Sequence, residues 1–352
     1  MDSPVLRLVD ANLNRASEGL RVLEDIARFV TVDDRLSRDL RAMRHRLAEL
    51  AQPFGIRLLT ARDSVADVGR ESGVRAEGER TLLSTVRANA KRVEESLRVL
   101  EELGRLPEIN VALNPSDAEK LRYAVYDNEK HLSGRVARTL RAGMIRGLYV
   151  VIDRQAAGSR SLVKLASDAI DGGAGVIQLR DKEGARGDVY HVALEMNAVC
   201  IEKNALFIIN DYADITQAVG AAGVHIGQRD LPLPVLRKLL SIDTIVGVSC
   251  ENAVDVSRAI EEGADYLAVG AIFPTSQKAN HVLVGIEFLR STRECCGSIP
   301  LVAIGGIGPS NAKAVVEAGA DAVAVIGSVV MQPDPKQAAA DMVLAIQRSE
   351  EQ

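Results

Sequence analysis

The chain has 352 residues, 47% of them hydrophobic and 3% aromatic, with no tryptophan and a formal net charge of -5. That composition excludes an aromatic stacking platform for single-stranded nucleic acid and gives no general attraction to polyanions, so any phosphate binding must be local. The length exceeds the size at which a single core usually stops growing, which predicts two domains.

The opening stretch "MDSPVLRLVDANLNR" lacks an apolar signal region, and no uncharged apolar run approaches the ~20 residues that span a bilayer. The expectation is a cytoplasmic enzyme with no membrane or nucleic-acid partner. Through about residue 140 the sequence keeps helical spacing and dense charge, with no β-branched run long enough for a strand, so this half reads as all-α. Within it "ANLNRASEGLRVLEDIARF" (11–29) returns as "ANAKRVEESLRVLEELGRL" (88–106). On a helical wheel Leu13, Ala16, Leu20, Leu23 and Ala27 form the core stripe. Arg21, Glu24 and Arg28 share the next face and are expected as a solvated salt-bridge ladder. Asn12 and Arg15 lie on a partly apolar face with Glu18 at its edge, where polar groups need partners. Asn89, Arg92 and Glu95 of the second copy offer them, either as plain structural duplication or around a ligand cleft between the copies. "DVGRESGVRAEGER" (67–80) breaks the two copies, Pro115 and Ser116 start a last helix, and "SGRVARTLRAGM" (133–144) reads as a linker. The predicted domains are 1–140 and 141–352.

From Ile145 the period changes to short apolar runs separated by helix-length stretches: "IRGLYVVID", "GVIQLR", "LFIIND", "AGVHIG", "TIVGVS", "DYLAVGAIF", "PLVAIGG" and "DAVAVIGS". Near-continuous apolar runs suit parallel strands buried on both faces. Eight of them predict an α/β TIM (β/α)8 barrel. The alternative, an open doubly wound sheet, would have fewer strands and no use for the glycine-rich ends of the last two runs.

Barrel chemistry sits at the C-terminal strand ends. Gln178, Arg180 and Lys182 leave the second run, Asn210 and Asp211 the third, Asp230 follows the fourth, and Ser249 ends the fifth. Thr275, Gln277 and Lys278 follow the sixth, and Gly305-Gly306 and Gly327-Ser328 close the last two. Singly, Asp211 and Asp230 read as well as N-caps of the next helices, and the bases as solvated loop charges. Together, two acids suit a hard divalent cation, three bases a polyphosphate, and two glycine turns a second phosphate. These residues predict Mg²⁺-dependent transfer from a diphosphate to a phosphorylated acceptor. Cys200, Cys250, Cys295 and Cys296 lack C-x-x-C spacing and are expected as reduced thiols.

The motifs "QLRDK", "IINDYADI", "GVHIGQRD", "GVS", "VGAIFPTSQK", "VAIGGI" and "AVIGS", in this order from about residue 145 to 345, resemble the thiamin phosphate synthase family. The resemblance implies a barrel that joins hydroxymethylpyrimidine diphosphate to hydroxyethylthiazole phosphate, releases pyrophosphate and requires Mg²⁺. It implies Asp211 and Asp230 as metal ligands, and Arg180, Lys182, Asn210 and Lys278 on the diphosphate. Gln178 then faces the pyrimidine, Ser249 the leaving oxygen, and Thr275, Gly306, Ile326 and Ser328 the thiazole phosphate side, with Gly305 and Gly327 in the same turns. Lys278, Ser249, Arg180 and Lys182 carry the catalysis on this reading. Two positions depart from the family pattern: Gln277 replaces a hydroxyl residue, and Glu251 stands where many members place a histidine. That histidine looks like the proton-transfer group of thiazole tautomerase paralogues, and a non-catalytic regulatory paralogue would have lost some of the acids and bases retained here.

The stretches "DANLNRASEGLRVLEDIARF", "RDSVADVG" and "RANAKRVEESLRVLEEL" resemble a domain fused to bacterial thiamin phosphate synthases and associated with phosphorylating hydroxymethylpyrimidine phosphate. If that half is a kinase, ATP is a substrate, Arg15 and Arg92 bind phosphate, and Asp63 and Asp67 serve Mg²⁺ or act as general base. It carries no G-x-x-x-x-G-K-[ST] motif. The rival reading is a helical oligomerisation module building a homo-oligomer.

Overall fold

Among the described residues, helical spacing becomes five α-helices in the N-terminal half: α1 (Ser3–Phe29), α2 (Asp34–Ala51), α3 (Ile56–Thr60), α4 (Leu82–Leu103) and α5 (Pro115–Ala142). The computed structural model describes residues 3–62, 80–275 and 282–347. Asp63, Asp67, Gln277 and Lys278 lie outside the described residues. The chain divides into two compact units, Met1–Ala137 and Arg138–Gln352.

In the first unit the caps follow sequence chemistry. Asp33 accepts from the Leu36 N–H at 3.0 Å, and Thr81 with Ser84 forms a reciprocal capping box before α4. The stripe from α1 packs with Leu40 and Met43 of α2, Val93 and Leu97 of α4, and Leu121 and Val125 of α5. Gly19 lets the two copies of the repeated helix touch: a Cβ there would lie 2.6 Å from Val93 Cγ2. The stretch expected as a linker is helical as far as Ala142, because no proline follows Pro115 within it and the lone Gly134 weakens a helix without ending it. No helix among the described residues is long and apolar enough to cross a membrane.

The expected salt-bridge ladder forms only in part. Arg21 pairs with Asp25 at 3.1 Å in solvent, whereas Glu24 is buried, bound by Arg41 at 3.0 Å and Arg44 at 2.8 Å from α2. Its counterpart in the second copy, Glu101, is equally buried and meets Arg98, Arg105 and Arg122 at 2.6, 2.8 and 3.0 Å. A second helix packed over that face turns a solvated position into an enclosed one, which the wheel of one helix does not reveal.

In the second unit, β1 (Gly147–Asp153), β2 (Val176–Arg180), β3 (Leu206–Asn210), β4 (Gly223–Ile226), β5 (Ile245–Cys250), β6 (Tyr266–Val269), β7 (Leu301–Ile304) and β8 (Ala322–Val325) pair in parallel, in chain order, and close into a barrel. Helices alternate with the strands, so this is the TIM barrel. Period-two alternation divides each strand. Ile177, Leu179, Phe207 and Ile209 pack outward with the helices, while Tyr149, Val151, Val176, Ile208 and Tyr266 fill the interior. Gln178 and Arg180 share the inner face with Val176, Asn210 shares it with Ile208, and Ser249 with Ile245. The tail of the sixth run leaves the ladder after Val269, and the Phe273 N–H donates to the Gly305 carbonyl at 3.0 Å.

Candidate active site

The inner strand positions and the turns beyond them enclose a cavity of about 730 Å³. Its wall brings together Gln178, Arg180, Asn210, Ser249, Thr275, Gly305, Gly306, Ile326, Gly327 and Ser328, every one of them marked out from sequence. Lys182, Asp211 and Asp230 do not line it; they lie on the turns after β2, β3 and β4, Asp211 directly following the lining residue Asn210.

The two acids are not helix caps. The helix Ala213–Val219 begins after Tyr212 and the helix Leu233–Leu239 after Pro232, neither with a side-chain cap. Asp230 instead accepts from the Gly227 N–H at 2.7 Å, which folds its carboxylate back toward β4. Asp211 has φ +65°, a left-handed conformation that aspartate tolerates better than most residues, and its N–H donates to the His225 carbonyl at 2.9 Å. Burial, reinforced by the charge of Asp230, raises the Asp211 carboxyl above its ordinary value against the opposing pull of Lys182, 3.2 Å away. Two half-enclosed carboxylates that repel one another fit a hard divalent cation, which would relieve both burial and repulsion.

Arg180 pairs with Asp153, whose other oxygen accepts from the Ala156 N–H at 3.0 Å. The guanidinium is thereby held at the cavity wall. In the turn after β7, Gly305 (φ +104°) and Gly306 (φ +65°) are left-handed, and a Cβ on Gly306 would lie 2.5 Å from the Pro274 carbonyl oxygen. Ser328 Oγ donates to the Ile307 carbonyl at 2.6 Å, tying the turn after β8 to the turn after β7.

Tyr149, His225 and Tyr266, which no motif in the sequence singles out, line the barrel floor. Tyr149 donates to Gln178 Oε1 at 2.9 Å and lies 3.2 Å from the Tyr266 hydroxyl; Gln178 Nε2 donates to Asn210 Oδ1 at 2.8 Å. His225 joins Tyr266 through Nδ1 at 3.0 Å and Ser249 through Nε2 at 2.8 Å. The signal was present as alternation, because His225 is the inward residue of "GVHIG" as Asn210 is of "LFIIND". Glu251 also lines the cavity. The cysteines are free thiols, and burial pushes Cys200 and Cys250 up to about 12, which leaves them unreactive.

In the first unit Asn12 donates to the Leu8 carbonyl and Asn89 to the Thr85 carbonyl, each at 2.8 Å, so each asparagine is satisfied within its own helix rather than by its counterpart. Arg92 donates to Asn89 Oδ1 at 2.9 Å. Arg15, Glu18, Arg92 and Glu95 are solvent-exposed.

A closed parallel barrel whose strand-end turns carry bases, acids and paired glycines has the layout of a TIM-barrel enzyme. Residues 148–329 match the family model of thiamine monophosphate synthase, and residues 7–131 match that of the ThiD2 family. The thiamine-phosphate synthase of Synechocystis sp. is 36% identical over 345 residues, 98% of this chain and 97% of that protein. The thiamine-phosphate synthase of Nostoc punctiforme is 37% identical over 333 residues, 94% of this chain and 91% of that one. The solved thiamine phosphate pyrophosphorylase of Pyrococcus furiosus is 33% identical with a TM-score of 0.54, covering 60% of this chain and 98% of its own. This chain belongs to the thiamine-phosphate synthase family, whose members are transferases, and carries a ThiD2 region ahead of the barrel.

Proposed function

We propose that the barrel joins 4-amino-5-hydroxymethyl-2-methylpyrimidine diphosphate to 4-methyl-5-(2-hydroxyethyl)thiazole phosphate, forming thiamin phosphate and releasing pyrophosphate. The observation that carries this reading is one cavity lined both by Arg180 and by the glycine turns after β7 and β8, with Lys182 and the acid pair on the turns after β2, β3 and β4. The amino group of the pyrimidine donates electrons toward the reacting carbon, so the carbon–oxygen bond opens ahead of attack. The protein then has to stabilise departing negative charge rather than supply a nucleophile. Arg180 and Lys182, joined by Lys278, bind the diphosphate oxygens as that charge collects. Asp211 and Asp230 would hold Mg²⁺, which when bound neutralises charge on the leaving diphosphate. The thiazole nitrogen needs positioning more than deprotonation, and Gly305, Gly306, Gly327 and Ser328, with Thr275 and Ile326, position it through its phosphate. Glu251 occupies the place of the tautomerase histidine, which favours the synthase over that paralogue. The purified full chain supplied with both precursors and Mg²⁺ is expected to form thiamin phosphate, to stop on EDTA treatment and to resume when Mg²⁺ is restored. Undiminished turnover after EDTA would remove the metal from the account.

On the same reading the N-terminal unit phosphorylates hydroxymethylpyrimidine phosphate with ATP and so makes the diphosphate that the barrel consumes. The ThiD2 match supports this, as do two exposed arginines, Arg15 and Arg92, at equivalent positions of the repeated helix. Asp63 and Asp67 remain its proposed metal or base residues.

A further inference from the structure

We infer that His225 is a positioning residue: through a hydrogen-bond chain of fixed direction it holds the Ser249 hydroxyl as an acceptor for an amino group borne on the substrate ring. The inference rests on the aminopyrimidine reading above and gives Ser249 a different part in it.

The direction follows from counting protons. Gln178 Nε2 donates to Asn210 Oδ1, so Gln178 Oε1 is the atom turned to Tyr149, and a carbonyl oxygen only accepts. The single Tyr149 proton is therefore committed to Gln178. Tyr266, 3.2 Å away, must donate to the Tyr149 oxygen, which commits its proton as well. The contact of 3.0 Å between Tyr266 and His225 Nδ1 then requires that Nδ1 carry the hydrogen. In the neutral ring Nε2 becomes an acceptor, and the partner 2.8 Å away that can supply a hydrogen is Ser249 Oγ. The hydroxyl proton of Ser249 points at His225, and its lone pairs are left for the cavity.

The chain has little freedom to reverse. Tyr149 and Tyr266 are fully enclosed, and burial raises both phenols, which keeps them protonated. Gly247 makes room for the Tyr266 ring, since a Cβ there would fall 1.9 Å from Tyr266 Cζ. Asn210, with its oxygen engaged by Gln178, has its amide N–H groups to offer. The floor thus presents N–H donors from Asn210 and an acceptor from Ser249. A flat ring with an acceptor nitrogen and an amino donor matches that order, whereas a carbonyl in place of the amino group would set oxygen against oxygen. The same count shows that Ser249 has no proton to give the leaving oxygen while this chain is intact.

The test uses the full chain labelled with ¹⁵N-histidine, with His225 assigned by its loss in His225→Asn. Long-range ¹H–¹⁵N spectra are expected to show the neutral Nδ1–H tautomer, and an Nε2–H tautomer overturns the inference. The second arm compares competitive inhibition by the 4-aminopyrimidine alcohol and by its 4-oxo counterpart. In Tyr266→Phe the Nδ1 hydrogen loses its acceptor, Ser249 is released to donate, and the amino-over-oxo preference is expected to fall about tenfold or more. A merely structural role for Tyr266 would weaken both inhibitors alike, so an unchanged preference also overturns the inference. If the wild-type chain makes thiamin phosphate but shows no amino preference, the inference alone fails. A wild-type chain that binds neither alcohol and makes no thiamin phosphate removes the aminopyrimidine reading, and the inference with it.

Discussion

Replacing Asp211 by asparagine separates a metal ligand from a structural carboxylate. Asparagine is the right probe because residue 211 has φ +65°, where alanine would add a backbone cost of roughly 1–2 kcal/mol unrelated to charge. Three terms set the stability without ligand. No cap is lost, since the following helix takes no side-chain bond from residue 211. The pair with Lys182 is half exposed and is worth about 0–1 kcal/mol. Against that stands relief of burial and of repulsion from Asp230, the two causes that raise the Asp211 carboxyl. The variant is therefore expected to melt at or above the wild-type temperature at pH 7. With Mg²⁺-pyrophosphate at a hundred times its dissociation constant, wild type gains about 2.7 kcal/mol, which is about 5–11 °C for a unit of this size. A hundredfold weaker complex would leave only about 0.4 kcal/mol, an upshift of about 1–2 °C. Differential scanning fluorimetry with and without the ligand reads both effects. A variant that melts several degrees lower alone yet keeps the full ligand shift and most of its turnover would refute the metal role.

Burial, then the neighbouring charge of Glu129, pushes Glu94 up to about 7. Its folded pKa lies above the unfolded value of about 4.3, so the stability it contributes is complete below that value and is lost as pH rises through 7. Melts of the full chain between pH 5 and 9 are expected to show this loss in the N-terminal unit and a flatter profile in Glu94→Gln; identical profiles would refute it. Glu101→Gln removes the charge of a buried carboxylate that meets three arginines, two of them half exposed, and is expected to cost about 1.5–3 kcal/mol in chemical denaturation of the same unit. A change below 1 kcal/mol would show the cluster to be solvated. Arg15→Ala is expected to abolish thiamin phosphate formation from ATP, hydroxymethylpyrimidine phosphate and thiazole phosphate while sparing the reaction started from the diphosphate. Equal loss in both assays would assign Arg15 a structural role.

Much of the barrel was legible because its signals are local. Apolar runs mark strands, and alternation sends Gln178, Asn210 and Ser249 to one face, so residues distant in sequence converge in one cavity. The positions that were misjudged or missed depend on neighbours. Glu24 lies on the polar edge of its own helix and is enclosed only because Arg41 and Arg44 come from α2. Tyr149 and Tyr266 resemble ordinary strand aromatics until the closed barrel brings their hydroxyls to 3.2 Å. Asp211 and Asp230 kept two readings in sequence because a cap and a ligand use the same residue type. The backbone decided against the cap by starting the next helices at other residues.

On the proposed reading the carbon–oxygen bond of the diphosphate opens before the thiazole attacks, with the barrel mouth taking up the negative charge. The most direct measurement compares single-turnover rates for the natural pyrimidine diphosphate and for an analogue with a strongly electron-withdrawing group on the ring, at saturating thiazole phosphate and Mg²⁺. Ionisation ahead of attack predicts that the analogue binds comparably and reacts far more slowly. An equal or faster chemical step with the electron-poor ring would mean that the thiazole displaces the diphosphate directly, and would contradict the account.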